Sequence, residues 1–382
     1  MNVSQIILIG NYPPDKQESM RKYAANLLQG LESQQIRVKL WNPPAFFAKG
    51  WKSTTTGIGK WLGYLDKWIV FPVILRLRLL HAEYRKETVF FHICDHSNAP
   101  YLASLPLLRT GITCHDVLAI RGALGYADAY CPASKTGVIL QKWILKNLLT
   151  AKRIACVSQF TMNQLLALST TGKYQSGKKW KVVYNSFNAS FTPMPQSECM
   201  PYLKRCGIPS DKPYVLHVGS ALPRKNRKMV ADMIDAVGNQ WDGLICFAGQ
   251  PIDEALARHI ASLGLRDRVI SVVKPDHQTL VALYNACEAF IFPSLSEGFG
   301  WPLIEAQACG APVVASDIEP MPEVSNGTAL HSDPLDKEAF AAAFLQVLQP
   351  SIRSRLIQEG FENCKRFDND VLIKEFIDLY RE

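Results

Sequence analysis

Short apolar runs separated by helical periodicity recur along the whole chain, and this alternation limits the fold more than any other feature. Gln5–Ile9, Val89–Ile93, Gly111–Cys114 and Ile154–Val157 read as strands closed by polar or turn residues. Helical patterns over Ser19–Ser33 and Lys135–Thr150 separate several of them. A second series follows at Tyr214–Val218, Gly243–Ala248, Val269–Val273, Ala289–Phe292 and Pro312–Ala315. Continuous Val/Ile/Leu runs mark strands covered on both faces, and strand–helix alternation builds a doubly wound parallel sheet. Two series predict an α/β chain of two Rossmann-like domains. Five prolines between Asn185 and Pro213 read as the linker. The expected boundaries are 1–188, 189–364 and a last helical segment, 365–382, with apolar Val371, Leu372, Phe376, Leu379 and Tyr380.

Composition narrows the class. No charge-free apolar stretch reaches the ~18 residues of a membrane-spanning helix, and Met1–Gly10 lacks the basic and apolar regions of a secretory signal. None of the ten cysteines stands in a C-x-x-C pair, so they read as reduced, mostly buried thiols in a cytosolic protein, without structural zinc. The net charge of +8 is unevenly spread. Residues 1–186 hold 24 Lys and Arg against 9 Asp and Glu, a net of +15, whereas residues 187–382 hold 18 against 25, a net of −7. A basic half suits an anionic membrane, a phosphorylated substrate or nucleic acid.

The strongest motif is Pro293-Ser-Leu-Ser-Glu297-Gly298-Phe299-Gly300-Trp301-Pro302-Leu303-Ile304-Glu305-Ala306, after a strand and before a helix. Glycines at such a turn let backbone approach a ligand, and helix-start N–H groups favour an anion. Carboxylates do not bind phosphate, so Glu297 and Glu305 suit neighbouring hydroxyls. Phosphate and hydroxyls together describe a nucleotide joined to a sugar. The plainer alternative is a tight turn with a Glu favouring the helix dipole.

This segment resembles the signature of retaining glycosyltransferases of family 4, and the likeness continues through Gly310–Ser316 and Pro322–Val324. The resemblance implies the GT-B fold of two facing Rossmann-like domains, with the last helix crossing back to the first. It implies that Glu305 contacts the donor ribose and Glu297 the transferred hexose, while the turn Gly298, Phe299 and Gly300 holds the donor diphosphate. In Val215–Asn226, a strand ends at Gly219 and adjacent cations follow at Arg224 and Lys225. Cations at a helix start oppose its dipole, a conflict that a diphosphate relieves. The family's matching loop implies this role for Lys225 and Arg224. Ser220 departs from the pattern, since many relatives carry Arg there.

His115 ends a strand of the basic half, and by resemblance it contacts the sugar; a hydrogen-bonded strand end is the plainer reading. Asp116 orients it or caps the next segment. The loop Gly10–Met20 has Glu18-Ser19-Met20 where many relatives have a Gly pair, and only a general role at the acceptor carries over to Ser19. Phe91–Ser97 lacks zinc spacing and reads as an acceptor-side loop or a strand end. Asp368-Asn-Asp370 looks like an acidic metal–nucleotide triplet but precedes the last helix, where Asp and Asn cap. No metal ligand is therefore expected. Residues 46–86 concentrate eight Lys and Arg against Asp66 and Glu83, among seven Phe, Trp and Tyr side chains between Phe46 and Phe71. Trp61, Leu65 and Trp68 fall on one helical face, with Pro72 interrupting the pattern. Basic and aromatic residues together suit an anionic bilayer or a lipid-linked acceptor, against the plainer alternative of packed helices with solvated lysines.

The expected function is transfer of a hexose from a UDP- or GDP-sugar to a glycan or lipid-linked hydroxyl, with retention, in polysaccharide, glycoconjugate or glycolipid synthesis. No cofactor beyond this donor substrate and no nucleic acid is expected. The location is cytoplasmic, with the inner face of the membrane reached through 46–86. Two rivals come from other classes. A dinucleotide oxidoreductase is disfavoured because neither loop gives G-x-G-x-x-G. An inactive GT-B-like protein on an anionic membrane is disfavoured because Glu297, Glu305 and Lys225 are intact.

Overall fold

The computed structural model describes residues 3–169 and 177–381. Two compact units divide the chain: Met1–Tyr126, Cys131–Asn188 and Asn369–Glu382 form one, and Ala127–Tyr130 with Ala189–Asp368 the other. The first unit is built on β1 (Gln5–Ile9), β2 (Arg37–Trp41), β3 (Val89–Ile93), β4 (Thr110–Cys114), β5 (Arg153–Cys156) and β6 (Lys179–Val182). All pairings are parallel, in the order β2-β1-β3-β4-β5-β6. The central strands are buried along their length, which is why they read as apolar runs. The edge strands β2 and β6 carry lysines and face solvent on part of their surface, so their sequence looks like loop.

Alternate residues of β1 and β3 feed opposite faces. Ile7, Ile9, Phe91 and Ile93 pack with Phe71 and Leu75 on one side. Ile6, Leu8 and Phe90 pack on the other with Ala24, Leu27 and Leu31 of α1 (Glu18–Ser33) and with Ile373, Phe376 and Ile377 of the last helix, Asn369–Asp378. His92 points into this second core. Its Nδ1 forms a hydrogen bond with the Tyr380 hydroxyl, and its Nε2 lies 2.7 Å from Thr113 Oγ1. Val371, counted with the apolar face in the sequence, is instead 49% exposed, and Ile373 and Ile377 occupy the buried side.

Within the basic–aromatic segment, one helical stretch runs through α2 (Gly57–Leu65), a π-helical turn at Asp66–Val70 and α3 (Phe71–Arg78). Pro72 does not interrupt it. The Phe71 N–H reaches back five residues to Asp66 O, and the proline falls in the first turn of α3. The wider turn also removes Trp68 from the face of Trp61 and Leu65. Trp68 packs against Tyr101 and Trp143, and Ile69 takes the outer position.

The second unit has β7 (Tyr214–Gly219), β8 (Leu244–Gly249), β9 (Val269–Val273), β10 (Ala289–Phe292), β11 (Val313–Ser316) and β12 (Leu330–Ser332), all parallel, in the order β12-β11-β10-β7-β8-β9. The proline-rich stretch read as a linker contains a helix, Gln196–Arg205, which packs on the helix His277–Ala286. Cys199 and Leu203, four residues apart, form its buried side. Strand order reverses between β1 and β3 in one unit and between β7 and β10 in the other. Loops leaving the carboxyl ends of strands at such a reversal open a crevice where ligands bind.

Two outcomes follow from the packing. Phe376→Ala is expected to cost about 3–5 kcal/mol in urea unfolding and Val371→Ala under ~0.5 kcal/mol; equal effects would contradict the assigned face. Burial, with His115 nearby for His92, holds His92 and His217 down to about 3. Unfolded histidines take up protons below about 6.5 while these two remain neutral, so stability falls as the pH drops from ~6.5 towards ~3. Between pH 6.5 and 5 each contributes a loss of roughly 2 kcal/mol, and His92→Gln should flatten the slope. A slope unchanged in that variant would contradict it.

Candidate functional site

The reversal in the second unit lies beside the loops after β7 and β10. At the end of β7 the chain passes Gly219, where it lies close to its neighbour: a Cβ on Gly249 would stand 2.4 Å from the Gly219 carbonyl oxygen. A single 3-10 turn, Pro223–Lys225, then presents two cations, and Asn226 (φ +50°) leads into the helix Arg227–Val237. After β10, the turn reaches Gly300 at φ +100°, a left-handed conformation that favours glycine, and starts the helix Trp301–Ala308. A Cβ there would lie 3.3 Å from the Phe292 ring. The two loops are joined by backbone, since the Leu295 N–H donates to Arg224 O at 2.7 Å.

This arrangement brings Arg224, Lys225 and Glu297 together. Lys225 Nζ donates to Glu297 Oε1 at 2.6 Å, and Arg224 Nη1 donates to Glu297 Oε2 at 2.7 Å and to Ser296 O at 2.9 Å. Lys225 also stands over the Phe292 ring, 5.3 Å from its centre. Burial alone would push the Glu297 carboxyl up; Lys225 and Arg224 outweigh it and hold the group below its ordinary value. The two cations anticipated to face a phosphate thus have a carboxylate between them. Gly298 lies in the turn just beyond this carboxylate, and Phe299 is buried against Trp301 and Phe367.

Glu305 lies on the helix Trp301–Ala308, buried, with Oε2 accepting from the Tyr284 hydroxyl at 3.1 Å. Tyr284 went unremarked in the sequence because it is an ordinary apolar position of the helix His277–Ala286. His217 and Arg227 were also missed. His217 Nδ1 lies 3.0 Å from Ile291 O, and its buried Nε2 would be 3.2 Å from a Cβ on Gly219. Arg227 is buried over the Phe247 ring and donates to Pro251 O. Only the run of cations around Asn226 hinted at it.

His115 lies in the first unit, at the carboxyl end of β4. It is buried, Nε2 donates to Cys94 O at 2.9 Å, and the ring meets Tyr23 edge-on. Burial holds it below its ordinary value despite the Asp95 carboxylate nearby. Beside it, Asp95 accepts from Asn11 Nδ2 at 2.6 Å and from the Ser97 N–H at 2.9 Å. Burial would raise this carboxyl, but His96, His115 and those donors hold it below the usual range. His92 and Cys94 are core side chains of this strand end. Among the described residues, no group of three or more His, Cys, Asp or Glu side chains is placed to hold a metal ion. Asp368 directly precedes the last helix.

Residues 202–363 match the family described as glycosyl transferases group 1. The chain is 28% identical over 249 residues to O-antigen chain mannosyltransferase B of Escherichia coli, covering 63% of this chain and 64% of that protein. It is 27% identical over 307 residues to O-antigen chain mannosyltransferase RfbU of Salmonella typhimurium, covering 78% and 77%. The chain thus spans just under two thirds of the first relative and more of the second. Its fold is that of sucrose-phosphate synthase from Thermosynechococcus elongatus, with a TM-score of 0.74, 19% identity and coverage of 99% and 98%. Anabaena Alr3699/HepE in complex with UDP and glucose gives a TM-score of 0.70 at 15% identity, covering 98% of each chain. With two parallel six-stranded sheets and these likenesses, the chain has the two-domain Rossmann-like GT-B fold, and within it residues 202–363 are similar to the glycosyl transferases group 1.

Proposed function

We propose that the protein transfers a hexose from a nucleoside diphosphate sugar to an acceptor hydroxyl with retention of anomeric configuration. The observation that carries this reading is the convergence of Lys225 and Arg224 on the Glu297 carboxylate beside a glycine turn at a helix start. Two cations held within hydrogen-bond reach of one carboxylate are already spaced to receive a phosphate oxygen pair. The N–H groups of Phe299 and Gly300 add donors for the same charge.

In this reading, the Glu305 carboxylate accepts from the donor ribose, held in place by Tyr284. Glu297 accepts from a hydroxyl of the hexose, and His115 contacts the sugar from the first unit. As the anomeric C–O bond to the diphosphate breaks, Lys225 and Arg224 stabilise the negative charge on the leaving oxygen. The acceptor oxygen bonds to the same face of the anomeric carbon, and its proton passes to the departing phosphate. The relatives named as O-antigen mannosyltransferases support a sugar polymer as the acceptor and mannose as the first hexose to try. The UDP complex of the Anabaena protein keeps uridine beside guanosine as the donor base. The acceptor belongs to the first unit, as a glycan or lipid-linked hydroxyl reached from a membrane through 46–86.

The test is turnover of a panel of UDP- and GDP-sugars, ranked first by thermal shift. With the donor so found, Lys225→Ala and Glu305→Ala are expected to lower kcat/KM by about 10²–10³-fold. Tyr284→Phe should raise the donor KM a fewfold with kcat retained. Unchanged kcat/KM in both alanine variants would overturn the assignment.

A further inference from the structure

The outer side of the helical stretch Gly57–Arg78 carries a row of apolar side chains that no described residue of the first unit covers. Ile58, Trp61, Leu65, Ile69, Val73 and Leu77 follow one another at steps of three or four residues, and each is exposed, Trp61 at 56% and Ile69 at 57%. The inner side of the same stretch is anchored by Phe71 and Leu75 in the core. Successive four-residue steps overshoot an α-helical turn of 3.6 residues, and the wider π-helical turn takes up that drift and keeps the row straight.

A second exposed apolar element is fixed beside it. Phe46 and Phe47 project from a loop whose backbone is gathered by one carboxylate: buried Asp66 accepts from the N–H groups of Phe46, Phe47 and Ala48 at 3.1, 2.8 and 3.1 Å, and from the Tyr12 hydroxyl at 2.7 Å. Lys67 and Thr54 tie the neighbouring chain to Asp15 at 2.7 Å each. The exposed rings therefore sit on a rigid mount. Around them Lys49, Lys52 and Arg76 face solvent, while Asp66 is buried and Glu83 is paired with Lys39.

A row of exposed apolar side chains with exposed rings mounted on the same buried carboxylate marks an interaction site, and the surrounding charge selects its occupant. A second copy of this chain would set one ring of cations against another, at a cost in any self-complementary contact. An anionic bilayer satisfies both features, since its headgroups meet the cations while aromatic and aliphatic side chains enter the acyl boundary. Among the described residues no helix is long and apolar enough to cross a membrane, so the contact is interfacial. We infer that this face, with Phe46, Phe47 and the Ile58–Leu77 row, docks the first unit on the surface of an anionic membrane. This deepens the acceptor-side reading above and does not depend on the donor site.

The experiment is sedimentation of the full chain with vesicles of phosphatidylcholine, alone or mixed with phosphatidylglycerol, at low and high salt, with donor turnover measured in parallel. Binding is expected only to the mixed vesicles and should weaken with salt. Ile69→Asp with Leu77→Asp should abolish it. Lys49→Glu and Lys52→Glu should each lower partitioning at least about fivefold, the equivalent of about 1 kcal/mol per cation. All four sites are exposed, so circular dichroism and donor turnover should remain as in the parent chain. Failure to bind either vesicle, indifference to lipid charge, or undiminished binding by the aspartate variant would overturn the inference. So would a dimer in light scattering that the aspartate variant dissolves. Loss of donor turnover in the parent chain with vesicle binding intact would count against the proposed function alone.

Discussion

The Glu297 carboxylate, held between Lys225 and Arg224, is the interaction on which the second unit's site depends. Each member would be costly to bury by itself, and removing one partner from such a buried pair typically costs about 3–5 kcal/mol. Together they fix the geometry of two loops 72 residues apart in sequence, reinforced by the backbone hydrogen bond from Leu295 to Arg224. A cationic turn that would otherwise repel itself is thereby preassembled. In the proposed reaction the charges are thus already oriented, which is the condition under which electrostatic stabilisation is most effective.

Much of this architecture was readable in the residues, for a physical reason. Strands buried on both faces must be apolar along their length, so β1, β3, β7 and β10 stand out as runs. The edge strands β2, β6 and β12 border solvent, and their lysines and polar residues hid them. The strand–turn–helix around Glu297 and Glu305 was legible because glycine and proline mark it locally. The grip of Lys225 and Arg224 on Glu297 was not, because only folding brings those loops together. Tyr284 was invisible for the same reason: nothing in the sequence around an ordinary helical tyrosine says that its hydroxyl meets Glu305.

The helical stretch after Gly57 shows how one local irregularity redirects a surface. A periodicity of 3.6 put Trp61, Leu65 and Trp68 on a single face, but the π-helical turn moves Trp68 inward and Ile69 outward. The consequence is a straight apolar row on a strongly basic unit. The charge imbalance along the chain then has a structural meaning. Under the proposed function, local cations in an otherwise acidic unit serve the donor, while the basic excess of the first unit surrounds an exposed apolar face.

The central claim is that Glu297 keeps its two cations ready and yields them to the donor diphosphate. Isothermal titration of UDP and GDP into the parent chain and Glu297→Gln tests it most directly. A carboxamide of the same shape no longer competes for Lys225 and Arg224, so the variant should bind its preferred diphosphate roughly tenfold more tightly while sugar transfer falls. Weaker diphosphate binding by a variant that remains folded would contradict the account.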